Sequence, residues 1–352
     1  MSWEDYSVEQ NKKNPFENHA CGFRQGKEYQ IIMEKTEIPV IDVIIPAYRP
    51  DDSFHKLMRL LLEQSVKPHH IYVLQTIEDG EQVLQPLDQR MSVHPVPKKE
   101  FDHGATRDYG AGLAVKDIGD DISQHYILFM TQDAVPAGTE LLERLVKPFG
   151  DDRTAITYAR QLAREEADLL ERLTRVHNYP PEDQVKSKED LERLGIKTYF
   201  CSDVCAMYRL DRYMEQGGFV HPTIFNEDMI MASRMIQAGY QVVYCGSAEV
   251  FHSHNYSCMQ QFHRNFDLGV SQKQYREVFE SISSEKEGAG YAKSTLLYLL
   301  KRGKPGKAFY FALQCGFKLI GYKLGKNYDH LPRKMVLWCT MTPGYVLFHQ
   351  DE

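Results

Sequence analysis

The chain has no Cys-x-x-Cys pair, no surplus of positive charge, no internal repeat and no run of about 20 apolar residues, and each absence removes a class of protein. Its seven cysteines (Cys21, Cys201, Cys205, Cys245, Cys258, Cys315 and Cys339) are odd in number and scattered. Neither a disulfide framework nor a zinc knuckle is expected from them, and a reducing cytoplasm fits. With 42 Lys and Arg against 49 Asp and Glu the formal net charge is −7, which argues against nucleic acid as a partner. The longest apolar stretch, about Ala308 to Tyr322, is interrupted by Gln314 and Lys318, so it is too short to span a bilayer. Met1-Ser2-Trp3-Glu4-Asp5 is acidic where an export signal would be basic and then apolar, and no export is expected.

What is present is a mixed α/β pattern. Residues 1–37 form a polar lead-in without a clear period. Val40-Ile41-Asp42-Val43-Ile44-Ile45 is β-branched and nearly continuous up to Pro46, the signature of a strand buried on both faces. Phe54, Leu57, Met58, Leu61 and Leu62 then repeat with helical spacing, and Ile71-Tyr72-Val73-Leu74 reads as a second strand, which implies a right-handed βαβ unit. A strand near Ser92 to Val96, a helix over about Thr106 to Val115 and a strand at Tyr126 to Met130 continue a doubly wound half. Strand signals recur near Ala155, Asp203 to Tyr208 and Gln241 to Phe251, and the pattern from about Tyr256 is helical. The division expected is a lead-in (1–37), an α/β unit (38–270) and a helical C-terminal region (271–352).

Four motifs could carry chemistry, and each also has an ordinary structural reading. Asp133 follows a strand end, where ligands of open α/β sheets gather; it can bind Mg²⁺ or Mn²⁺, or simply start a turn. Phe101-Asp102-His103-Gly104-Ala105-Thr106-Arg107 opens a helix, which either offers amides and a cation to phosphate or is a plain helix start. Asn226-Glu227-Asp228 suits any helix N-terminus. His252 and His254 share one strand face if the backbone is extended, a spacing that fits a metal, although one of the two could be purely structural.

The order of these pieces carries more than any one of them. With Pro46-Ala47-Tyr48, Ser202-Asp203, Tyr208-Arg209, Gly217-Gly218-Phe219 and His252 to Ser257, the sequence resembles the inverting family-2 glycosyltransferases of GT-A fold, in particular their rhamnosyltransferase branch. The match spans about residues 38–270.

That resemblance implies an α/β doubly wound mixed sheet flanked by helices, with a C-terminal helical extension. It implies transfer of L-rhamnose from dTDP-L-rhamnose, with inversion, to a saccharide or lipid-linked saccharide acceptor in cell-surface polysaccharide assembly. By position, Pro46, Ala47, Tyr48, His103, Gly104, Arg107, Gln132 and Asp133 would bind donor. Asp133 with His252 or His254 would hold Mg²⁺ or Mn²⁺, Asp228 would be the catalytic base, and Glu227 would cap or orient acceptor. Two departures stand out: Thr131 replaces the first acid of Asp-x-Asp, and Leu74-Gln75-Thr76 lacks the acid expected after the second strand. The alternatives are a UDP- or GDP-sugar donor, or a non-catalytic nucleotide-sugar-binding protein. A cytoplasmic location is expected. Leucines and phenylalanines mixed with lysines over about 290–340 suggest peripheral contact with the inner membrane face.

Overall fold

The computed structural model describes residues 39–119, 122, 124–280 and 285–349; the lead-in read over 1–37 lies outside them. The strands are β1 (Val40–Tyr48), β2 (His70–Ile77), β3 (Met91–Pro97), β4 (His125–Met130), β5 (Val135–Pro136), β6 (Thr154–Leu162), β7 (Gln184–Lys186), β8 (Cys205–Arg209) and β9 (Gln241–Phe251). The principal helices are α1 (Asp52–Leu62), α2 (His103–Ile118), α3 (Leu141–Val146), α4 (Leu169–Asn178), α5 (Glu227–Gln237), α6 (Cys258–Gln274), α7 (Glu285–Lys301) and α8 (Pro305–Gly325).

The described strands form one sheet in the order β3-β2-β1-β4-β8-β6-β9-β5, with β7 added on β9. The first four are mutually parallel, whereas β8 runs antiparallel to both β4 and β6. Alternation along β1 splits its side chains between two cores: Ile41, Val43 and Ile45 pack with Phe54, Leu57, Met58 and Leu61 of α1, and Ile44 packs with Ala111 and Ala114 of α2. Burial on both faces is what the unbroken β-branched run demands.

Some boundaries differ from those read in the sequence. Pro46 does not end β1, which continues to Tyr48; beyond Ile44 its only ladder partner among the described residues is β2, so a residue without an N–H is tolerated there. β2 runs to Ile77, three residues past Leu74. β6 reaches Leu162, and a short strand, β7, follows α4. The C-terminal region is helical, with a break where Gly303 takes φ +65° before Pro305 starts α8. α8 lies so close to α6 that a methyl at Gly321 or Gly325 would strike the carbonyl oxygen of Phe262 or Phe266.

Candidate active site

The C-terminal ends of β1, β2 and β4 converge on one edge of the sheet. β4 delivers Thr131-Gln132-Asp133 there, and the end of β9 delivers His252 and His254. Asp133 Oδ2 lies 3.3 Å from His254 Nε2 and 3.6 Å from His252 Nε2, and the two Nε2 atoms are 3.1 Å apart. Three potential ligand atoms thus face one point. His252 Nδ1 is 3.0 Å from Gln161 Oε1, which can only accept, so Nδ1 carries the proton and Nε2 turns its lone pair toward Asp133. Burial holds both imidazoles below their ordinary range, His252 far below. A carboxylate with two neutral imidazoles is a chemically suitable set for a divalent ion, and two ligands at about 2.1 Å in adjacent octahedral positions lie about 3 Å apart. Thr131 contributes no ligand charge: its hydroxyl is buried without a hydrogen-bond partner.

A second group surrounds Tyr48. Gln132 fixes that backbone in both directions, accepting from Tyr48 N–H at 2.8 Å and donating to its carbonyl at 3.0 Å. The Tyr48 hydroxyl donates to Glu78 at 2.6 Å, and Lys98 Nζ lies 2.6 Å from the same carboxylate oxygen. Bonds from Lys98 and Tyr48 draw the Glu78 carboxyl down to about 2. An acid does stand directly after the longer second strand: Glu78 follows Ile77. Ala47 is part of the core at 2% exposure, so its side chain is not turned to a ligand.

The third group is acidic and draws on three elements. Arg107 of α2 is buried and places Nη1 3.0 Å from Glu227 and Nε 3.7 Å from Asp203. The Asp203 amide donates to Asp228 Oδ2 at 3.3 Å, and the Met229 amide donates to Asp228 Oδ1 at 2.7 Å. Three carboxyls around one guanidinium cannot all ionise freely. Burial, reinforced by Glu227, pushes Asp228 up to about 7, and burial pushes Asp203 well above the carboxylate range. The helix dipole, taken alone, would have kept Asp228 low; it is outweighed by desolvation at a half-buried position crowded by acids.

Local details depart from the sequence reading here as well. Asn226 does not cap α5 with its side chain: it sits at φ +66° and donates instead to Ser271 Oγ at 3.0 Å. His103 and Gly104 begin α2, but Asp102 already caps the Ala105 amide at 2.8 Å and accepts from Thr223 N–H at 2.7 Å. A side chain at Gly104 would run into the Val220 carbonyl, so this glycine permits packing of the 219–223 segment. The Arg107 guanidinium likewise engages Glu227 and Asp203. Asp203, Gln161, Arg164 and Glu78 were not given roles from sequence; the Ser202-Asp203 pair was the one signal available for the first.

The pattern of glycosyl transferase family 2 matches residues 42–215. The O-antigen chain rhamnosyltransferase RfbN of Salmonella typhimurium (strain LT2) is 36% identical over 315 residues, covering 87% of this chain and 95% of that protein. The O-antigen chain rhamnosyltransferase WbaN of Salmonella anatum is 33% identical over 323 residues, covering 88% and 96%. Among solved structures, the mannosyltransferase PcManGT from Pyrobaculum calidifontis, in complex with GDP-Man and Mn²⁺, superposes with a TM-score of 0.51 at 12% identity, covering 84% of this chain and 89% of its own. That likeness concerns the fold alone. With relatives of this identity matching almost end to end, the chain belongs to glycosyl transferase family 2, in its rhamnosyltransferase-like branch, and is a glycosyltransferase of GT-A fold.

Proposed function

We propose that the protein transfers an L-rhamnosyl group from dTDP-L-rhamnose to a saccharide or lipid-linked saccharide, with inversion, in the assembly of a cell-surface polysaccharide. The relatives are O-antigen chain rhamnosyltransferases. The observation that carries the reading is Asp228, a carboxyl whose proton affinity near neutrality suits a general base, on the same face as a Glu78/Tyr48 group and an Asp133/His252/His254 group.

In this reading Asp228 takes the proton of the acceptor hydroxyl as that oxygen bonds to the anomeric carbon. The bond from that carbon to the diphosphate oxygen breaks, and its electron pair leaves with the nucleoside diphosphate. One displacement inverts the centre, so a β-linked donor gives an α-L-rhamnoside. Arg107 holds Glu227 and Asp203 in place around the base, and Tyr48 and Glu78 line the nucleoside side. Asp133, His252 and His254 would hold a divalent ion, which when bound neutralises diphosphate charge. Two imidazoles in the set favour Mn²⁺ over the harder Mg²⁺.

We further propose peripheral contact with the inner membrane face. No described helix is long and apolar enough to cross a membrane. Residues 288–349 nevertheless carry ten Lys and Arg and a single acid, Asp329, in a chain whose net charge is −7. Phe309, Leu313, Leu319, Ile320 and Trp338 are exposed among them, the composition of an interfacial surface. Co-sedimentation with anionic vesicles at low salt checks this contact.

The transfer reading is tested by incubating the full chain with Mn²⁺, lipid-linked saccharide extract and a panel of dTDP-, UDP- and GDP-sugars. Acceptor-dependent release of dTDP from dTDP-L-rhamnose is the expected result. Preference for a UDP- or GDP-sugar would replace the donor, and binding without release from any donor would make this a nucleotide-sugar-binding protein.

A further inference from the structure

We propose that Arg264, backed by Lys318, is the cation that receives the departing diphosphate; this rests on the transfer reading above. The leaving group carries negative charge that a site must meet, and the sequence pointed to Arg107 for the task. Arg107 is already matched, by Glu227 and Asp203. So are the other guanidinium and ammonium groups nearby: Arg164 lies 3.6 Å from Asp133 and donates to its carbonyl, Arg175 is 2.7 Å from Glu171, and Arg49 and Lys98 share Glu78.

Arg264 differs from all of them. It is exposed on α6 and forms no ion pair among the described residues. Its guanidinium is 4.6 Å from the centre of the Phe225 ring and 5.8 Å from that of Tyr256. Tyr256 in turn stacks on His254, with ring centres 5.2 Å apart and planes at 27°. Phe225 immediately precedes Asn226-Glu227-Asp228. The guanidinium therefore stands between the Asp228 segment on one side and the Asp133/His252/His254 group on the other, where a bond from sugar to diphosphate would be cut. Aromatic faces orient a guanidinium without cancelling its charge, which leaves that charge for a ligand.

Lys318 of α8 adds a second cation without a carboxylate partner within 4 Å among the described residues. Burial lowers its ammonium below the usual lysine range; Cys315 and Glu171 oppose that fall and the charge of Arg264 adds to it. Two cations from α6 and α8, neither in an ion pair among the described residues, form a field that an anion relieves.

The test compares ligands that differ only in the diphosphate. Binding of dTDP is measured by calorimetry and of thymidine by ligand-detected NMR, both with Mn²⁺, for wild type, Arg264→Gln, Arg264→Lys and Lys318→Gln, with melting temperatures alongside. Arg264→Gln is expected to weaken dTDP about 10-fold or more while thymidine is unchanged, the scale of a charge-assisted contact. Arg264→Lys should lie between, and Lys318→Gln should show a smaller loss in the same direction. Equal loss of both ligands, or no loss of dTDP in folded Arg264→Gln or Arg264→Lys, overturns the proposal while leaving the transfer reading intact. A wild type that binds none of dTDP, UDP and GDP overturns both.

Discussion

His252 and Gln161 are joined through Nδ1 and Oε1 at 3.0 Å, and Gln161 passes the contact on, donating from Nε2 to Ser202 Oγ at 2.9 Å. Ser202 is followed by Asp203, whose amide reaches Asp228. One glutamine thus ties the histidine corner to the segment that holds Asp228. Gln161→Leu should weaken Mn²⁺ binding about 10- to 100-fold, the usual effect of removing a partner behind a metal-binding histidine. Titration of Mn²⁺ followed by electron paramagnetic resonance reads this directly, and unchanged affinity would make Gln161 a packing residue only.

Asp133→Asn removes the charge at the centre of the same corner. Turnover should fall sharply and Mn²⁺ binding should be lost, with the melting temperature nearly unchanged because Asp133 lies at the sheet edge at 22% side-chain exposure. Full activity in excess chelator would contradict a metal role for Asp133, His252 and His254.

Asp228 and Glu227 are neighbours in sequence with opposite tasks. Asp228→Asn should keep the fold and donor affinity and lose on the order of 10²-fold in turnover. Glu227→Ala should instead destabilise the protein by about 3 kcal/mol, because it strips a buried guanidinium of its 3.0 Å partner. Chemical denaturation and kinetics on the two variants separate these outcomes; a stable, inactive Glu227→Gln beside an active Asp228→Asn would exchange the assignments.

The rate of transfer should rise with pH through about 7 as a single ionisation, since Asp228 must lose its proton before it can accept one. A pH–rate profile checks this, and a flat profile from pH 5 to 8 would remove Asp228 from the base role.

Stability should move the other way. Asp267, buried beneath the turn at 340–342, accepts from Thr340 Oγ1 at 2.6 Å and from the Met341 amide at 2.9 Å, yet burial still pushes it up to about 7. Asp228 is raised similarly. Both groups hold protons in the folded chain that the unfolded chain releases near pH 4, so this contribution is complete below about pH 4 and is lost as pH rises through 7. Denaturation midpoints of wild type and Asp267→Asn across that range should converge at low pH and separate in favour of the variant at high pH.

Much of the sheet was legible because its signals are local. The run at Val40 to Ile45 and the strand ending before Thr131 announce themselves by β-branched and aromatic density, and the doublet at His252 and His254 lies within three residues. What was illegible is what depends on distant partners. Nothing around Arg107 reveals that residues nearly 100 and 120 positions later, Asp203 and Glu227, absorb its charge. The raised proton affinity of Asp228 is hidden for the same reason: a helix terminus is visible in sequence, whereas crowding by other carboxyls is not. Glu78 lies beyond a strand end that is three residues past the one legible in the sequence.

The close approach of α8 to α6 at Gly321 and Gly325 makes the helix that carries Arg264 and the helix that carries Phe309, Leu313 and Ile320 a single rigid gauge. The spacing between Arg264 and those exposed apolar side chains is therefore set by backbone contact and not by adjustable side chains. Bulkier residues at the two glycines would force the helices apart and shift Arg264 relative to Phe309, Leu313 and Ile320 before they disturbed the sheet.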